Sequence, residues 1–165
     1  MATATYTPIA TYTVSSAVGS YTFSSIPSTY TDLVLVTNVK STTTNNMIMR
    51  FNSDSAANYS RTVLSGDGSS AVSARNTGFT EIYTDYNGYF DGLDFDQVKI
   101  INVMNYANST TYKTCLIRSG RAQSGTDAIV GLWRSTSAIT SIYLGGSGNN
   151  FVTGSTFTLY GIKAA

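Results

Sequence analysis

Histidine is absent from all 165 residues. That omission excludes the Ser-His-Asp and Cys-His arrangements of nucleophilic catalysis, along with histidine-bearing zinc and non-haem iron sites. Cysteine occurs once, as Cys115 in the apolar run TCLIR, so no disulfide can form within one chain and a core thiol is the expected role. Its local basic neighbours are Lys113 and Arg118, too little to argue for a reactive thiolate. Charge is scarce too. Ten basic and nine acidic residues leave a net +1, too weak a field to draw in nucleic-acid phosphates or an anionic membrane, and neither is expected as a partner. No apolar run approaches the roughly 20 residues of a membrane helix. The opening MATATYTPIATYTV has no basic segment ahead of an apolar one, so no export leader is expected.

What is present favours strands. The chain holds 12 Tyr, 7 Phe and 14 Gly with abundant Ser, Thr and Asn, a mixture in which aromatic and β-branched residues suit a pleated surface and the small polar ones suit turns. At this length a single domain buries roughly 70% of the surface its unfolded chain exposes, enough for a real core. From Tyr6 to Val14 bulky residues fall on every second position (Tyr6, Pro8, Ala10, Tyr12, Val14), which predicts a strand, and Pro8 places it at a sheet edge. Leu33 to Val36 is a continuous apolar run, as in a strand covered on both faces. MIMRFN sets Met47, Met49 and Phe51 on one face. Further short runs, NYSRTVL, AVSARN, TEIYTDY, QVKIINVMNY, TYKTCLIR, AIVGLW, SIYLGG and the closing TFTLYGI, are separated by Gly, Ser, Asn or Asp, with no 3.6-residue pattern between them. The expected fold is all-β, an antiparallel β-sandwich of jelly-roll type, with residues 19–165 as the sandwich. Residues 1–18 form an extended N-terminal arm whose alternating face needs a partner sheet, in its own domain or in a neighbouring chain.

Few constellations could carry chemistry. The segment DYNGYFDGLDFD gathers carboxylates around two glycines, and Asp85, Asn87, Asp91, Asp94 and Asp96 could offer oxygens to calcium, which takes about six to eight. The spacing departs from an EF-hand loop and lacks its terminal glutamate, so a solvated turn is favoured, with Asp91, Asp94 and Asp96 as weak metal candidates. Paired carboxylates also hydrolyse glycosidic bonds when held about 5 to 9 Å apart, a geometry that one loop seldom fixes, and no enzyme is expected. RFNSDSAANYS reads as a compact turn in which Arg50 pairs with Asp54. Trp133 is the sole tryptophan; with Tyr83, Tyr86 and Tyr89 it could stack on a sugar, although a lone tryptophan in a sandwich is more often core.

Four segments in order, YTFSSIPSTYTDLVLV, MIMRFNSDSAANYSRTVLSGDGSS, TYKTCLIRSG and GLWRSTSAITSIYLGGSGNNFVTGSTFTLYGIK, resemble a group of virion proteins of tailed bacteriophages. RFNSDSAANYS and GSTFTLYGIK are the most specific pieces, and the likeness runs from Tyr21 to Lys163. Members of that group supply head decorations, head fibres and tail-fibre modules, commonly as small β-sandwiches. The resemblance implies a non-enzymatic structural protein without cofactor, assembled into the virion in the host cytoplasm. Its implied partners are further copies of itself, a trimer in the first instance, and other virion proteins such as major capsid or tail proteins. The arm then becomes a candidate assembly strand through Tyr6, Pro8, Ile9, Tyr12 and Val14. The alternative is a receptor- or glycan-binding module of a phage adhesin, with a host surface glycan as partner.

Overall fold

The computed structural model describes residues 5–86, 96–121 and 123–163, and among these it contains strands and turns but no helix. Along the chain run β1 (Tyr6–Thr13), β2 (Ser20–Phe23), β3 (Asp32–Val39), β4 (Met47–Phe51), β5 (Tyr59–Gly66), β6 (Ala71–Phe79), β7 (Ile82–Tyr83), β8 (Gln97–Met104), β9 (Lys113–Arg121), β10 (Gly125–Trp133), β11 (Ile142–Gly146) and β12 (Thr156–Ile162). They form two antiparallel sheets. The larger has eight strands in the order β1-β12-β3-β8-β9-β10-β5-β6, and the smaller four in the order β2-β11-β4-β7.

Period-two alternation builds the core. Leu33, Leu35, Ile101, Val103, Cys115, Ile117, Ile129, Phe157 and Leu159 face inward from the large sheet, and Phe23, Met47, Met49, Phe51, Ile142 and Leu144 meet them from the small one in a single apolar cluster. The run Leu33–Val36 meets its expectation only in part. Leu33 and Leu35 face the core and Val34 is buried on the opposite face, but Val36 is half-buried and Asn38 exposed there, so β3 is not covered on both faces along its length. Before it, the Pro27 carbonyl accepts a hydrogen bond from the Tyr106 hydroxyl, which fixes the turn into β3.

The N-terminal strand finds its partner sheet within its own chain. β1 pairs with β12, Tyr6 opposite Ile162 and Thr13 opposite Thr156, and the register slips between Pro8 and Ala10 so that Ile9 is the extra residue of a bulge. Beyond it, Val18 bridges Phe151. Pro8 does sit on an edge strand, as its missing N–H requires. The closing TFTLYGI is no edge. β12 lies between β1 and β3, and the ring of Tyr30 packs so closely over Gly161 that a Cβ there would stand 2.3 Å from it.

Candidate functional site

Of the sequence-derived ligand candidates, the structure buries Trp133 and Asp85, leaves Tyr83 and Tyr86 half-buried, and leaves Asp96 exposed. Trp133 is 2% exposed. Its ring lies 6.3 Å from Tyr59 at 15° and 5.6 Å from Phe51, leaving no open face for a sugar. Its Nε1 donates to Asp54 Oδ2 at 2.7 Å, and the same carboxylate accepts from the Ala56 amide at 2.9 Å and Asn58 Nδ2 at 3.0 Å. RFNSDSAANYS is thus a turn pinned by a buried indole. Burial pulls the Asp54 carboxyl upward, but the bonds from Asn58, Trp133 and the Ala56 amide outweigh it and hold the group below its usual value. Arg50 does not pair with Asp54 as expected; its Nη2 sits 2.6 Å from Glu81 Oε2, which the smaller sheet brings across from beside β7.

Tyr83 and Tyr86 flank a cation, with the Arg61 guanidinium 5.1 and 5.8 Å from their ring centres. Tyr89, Asp91 and Asp94 lie outside the described residues. Asp96 accepts from Asn38 Nδ2 at 3.3 Å and pairs with Lys40 at 3.6 Å. Of the assembly candidates, Tyr12 stacks on Tyr21 at 3.9 Å and Val14 is buried, its amide donating to the Ser155 carbonyl at 2.9 Å, so both serve the chain's own core. Tyr6 and Pro8 are exposed, and Ile9 is half-buried in the bulge.

One wall of the core is polar, which the sequence reading missed. Lys99 on β8 stands beside Ser119 on β9, and Ser119 beside Asp127 on β10. Asp85, just beyond β7, reaches this row from the other side. Its Oδ2 lies 2.6 Å from Lys99 Nζ, and both side chains are fully buried. Lys99 Nζ also donates to Ser119 Oγ at 3.1 Å, Asp85 Oδ2 accepts from the Met47 amide at 3.1 Å, and Asp127 Oδ2 accepts from the Tyr86 amide at 2.9 Å. Arg61 Nη1 donates to the Asp85 carbonyl at 2.5 Å. Among the described residues, Asp85 Oδ1 and Asp127 Oδ1 are buried without a hydrogen-bond partner. Burial pushes the Asp85 carboxyl up and the Lys99 amine down, each against the pull of the other. The signal was in QVKIINV, where Lys99 is in phase with Gln97, Ile101 and Val103 on the face that must be buried. Cys115 is the core thiol its setting suggests, pushed up to about 12 by burial. Lys113 ignores it and donates to the Thr111 and Thr136 carbonyls at 2.8 and 3.1 Å.

The outward face of the large sheet is the unusual surface. Register aligns one row as Thr62, Val130, Leu116, Asn102, Val34 and Tyr160, and the next as Leu64, Ala128, Arg118, Ile100, Val36 and Thr158. The first row continues onto β6 as the exposed Arg75, opposite Thr62, and the second as Ser73, so Arg118 is the charged side chain in the middle of the face and Arg75 stands at its β6 end. Leu64, Leu116 and Val130 are 62%, 45% and 46% exposed and border a shallow groove. Comparisons with protein-family models, curated proteins and solved structures give no match to this chain.

Proposed function

We propose that the chain is a non-enzymatic structural protein of a tailed-bacteriophage virion, a head decoration or a head- or tail-fibre module. It assembles with further copies of itself through the outer face of its eight-stranded sheet. The observation that carries the reading is the apolar character of that face. An antiparallel sheet with one face in water alternates apolar-in and polar-out, and single molecules seldom expose a broad apolar patch. Here Leu64, Leu116 and Val130 are exposed and the half-buried Ile100 and Val36 continue the same face, with Arg118 among them and Arg75 at the β6 end. Arg118 bears on symmetry. A two-fold pairing centred on these rows sets Arg118 against its own copy in an apolar contact, whereas a cyclic, head-to-tail arrangement offsets the two, in keeping with a trimer. The interface therefore lies on the sheet face rather than along β1, whose edge is blunted by Pro8 and the bulge at Ile9.

The strand order supports a jelly-roll sandwich. Setting aside the hairpins β5–β6 and β9–β10 leaves two four-stranded sheets, β1-β12-β3-β8 and β2-β11-β4-β7, the interleaving of two Greek keys. Such folds recur in viral capsid domains, and the two hairpins supply the strands that widen the outer face. Sedimentation velocity on the full chain tests the assembly: wild type runs as a trimer, and Leu116→Glu runs as a monomer with an unchanged circular dichroism spectrum. A monomeric wild type, or a trimer that a folded Leu116→Glu leaves intact, overturns it. The virion role is checked by mass spectrometry of purified particles from the phage that carries the gene, and absence of the chain from them removes that role.

A further inference from the structure

We propose that Lys99 and Asp85 condense into an intramolecular amide, an isopeptide cross-link that ties β8 of the large sheet to the segment leaving β7 of the small one, with Asp127 as the proton acceptor. The two groups are already in contact. Lys99 Nζ and Asp85 Oδ2 are 2.6 Å apart, and neither side chain is reached by solvent. In water an amine and a carboxyl stay apart as ions because hydration favours the charged forms; burial removes that advantage. Desolvation here drives Asp85 toward the neutral acid and Lys99 toward the neutral amine, the two forms that react. Fixed reactants gain as well from effective concentrations that reach about 10⁵ M or more when well oriented.

The surroundings fit each step. The Nζ lone pair attacks Asp85 Cγ, and the Met47 N–H, 3.1 Å from Oδ2, steadies the oxygen on which negative charge develops. A proton leaves Nζ for Asp127, which shares the cross-strand row with Lys99 and Ser119 and interacts electrostatically with both reacting groups. Ser119 Oγ, 3.1 Å from Nζ, lies between them in that row. Asp127 Oδ1, without a hydrogen-bond partner among the described residues, is the oxygen open to receive the proton. The departing oxygen is Asp85 Oδ1, likewise unpartnered among those residues, and it leaves with the carboxyl proton and the one passed on by Asp127. The N–C bond forms, one C–O bond breaks, and one water is released; neither an oxidant nor a reductant is needed. The reaction is independent of assembly.

Peptide mass spectrometry of the purified full chain decides the matter, because it reads the bond after denaturation and digestion. Trypsin cuts after Arg75 and Lys113, and a Lys99 held in an amide is not cleaved. The expected product is a single peptide spanning 76–113, lighter than its sequence by one water, with fragment ions missing between Asp85 and Lys99. Lys99→Met and Asp85→Ala restore the full mass, and Asp127→Ala, folded by circular dichroism, retains the water or loses it far more slowly. Wild-type chain cleaved normally after Lys99, at full peptide mass after prolonged incubation, overturns the proposal and leaves a plain buried ion pair. A wild-type rate of water loss unchanged in Asp127→Ala overturns the role given to Asp127.

Discussion

Replacing Trp133 separates a core anchor from a ligand platform. In Trp133→Ala the indole between Phe51 and Tyr59 is lost together with its bond to Asp54, and truncation of a buried tryptophan typically costs about 3–5 kcal/mol. Trp133→Phe keeps most of the ring and removes the bond alone. A hydrogen bond to an ionised group contributes about 1.5–3 kcal/mol, and the lower end applies because Asp54 is only half-buried and water can replace the donor. Urea unfolding followed by far-UV circular dichroism reads both values, with an unchanged slope showing that the same surface is exposed on unfolding. Acidification adds a second handle. The Asp54 carboxyl titrates below its unfolded value, so its contribution is present above the unfolded pKa, about 3.9, and is lost as pH falls through the lower folded value. The difference between wild type and Trp133→Phe should therefore shrink in that acid window. Trp133→Ala unfolding at the wild-type urea concentration, or indole fluorescence that shifts when glycans are titrated in, would refute the assignment.

Two further outcomes test the packing. Gly161→Ala puts a methyl 2.3 Å from the Tyr30 ring, an overpacking that costs about 1–3 kcal/mol, visible as a lower melting temperature that Tyr30→Ala partly restores. Cys115, with its thiol pushed up to about 12, should resist a disulfide-exchange reagent at neutral pH in the folded chain and react promptly in urea.

The local rules read well from the sequence because they need only neighbours. The alternation of Tyr6 to Val14 located β1, Pro8 put it at an edge, and MIMRFN became β4. Partner choice did not follow, because nothing local says that β12 inserts between β1 and β3, or that Arg50 meets Glu81 across 31 residues rather than Asp54 four positions away. Asp85 shows the same limit. Within DYNGYFDGLDFD it reads as one of several loop carboxylates, and only the register of β8 reveals the buried lysine it meets. The outer face was half legible: Leu116 and Val130 are visibly apolar, but which face of their strands is covered depends on a second sheet that the sequence does not locate.

The pairing of Tyr6 with Ile162 also orders events during synthesis. A ribosome delivers β1 before the other described strands and its partner β12 after them, so until β12 emerges the ladder edge of β1 has no partner strand. Long-range pairings of this kind are slow to close and leave the emerging chain open to association with its neighbours on the same message. A proline and a bulge in that waiting strand are then a safeguard for the nascent chain, active before there is any fold to protect.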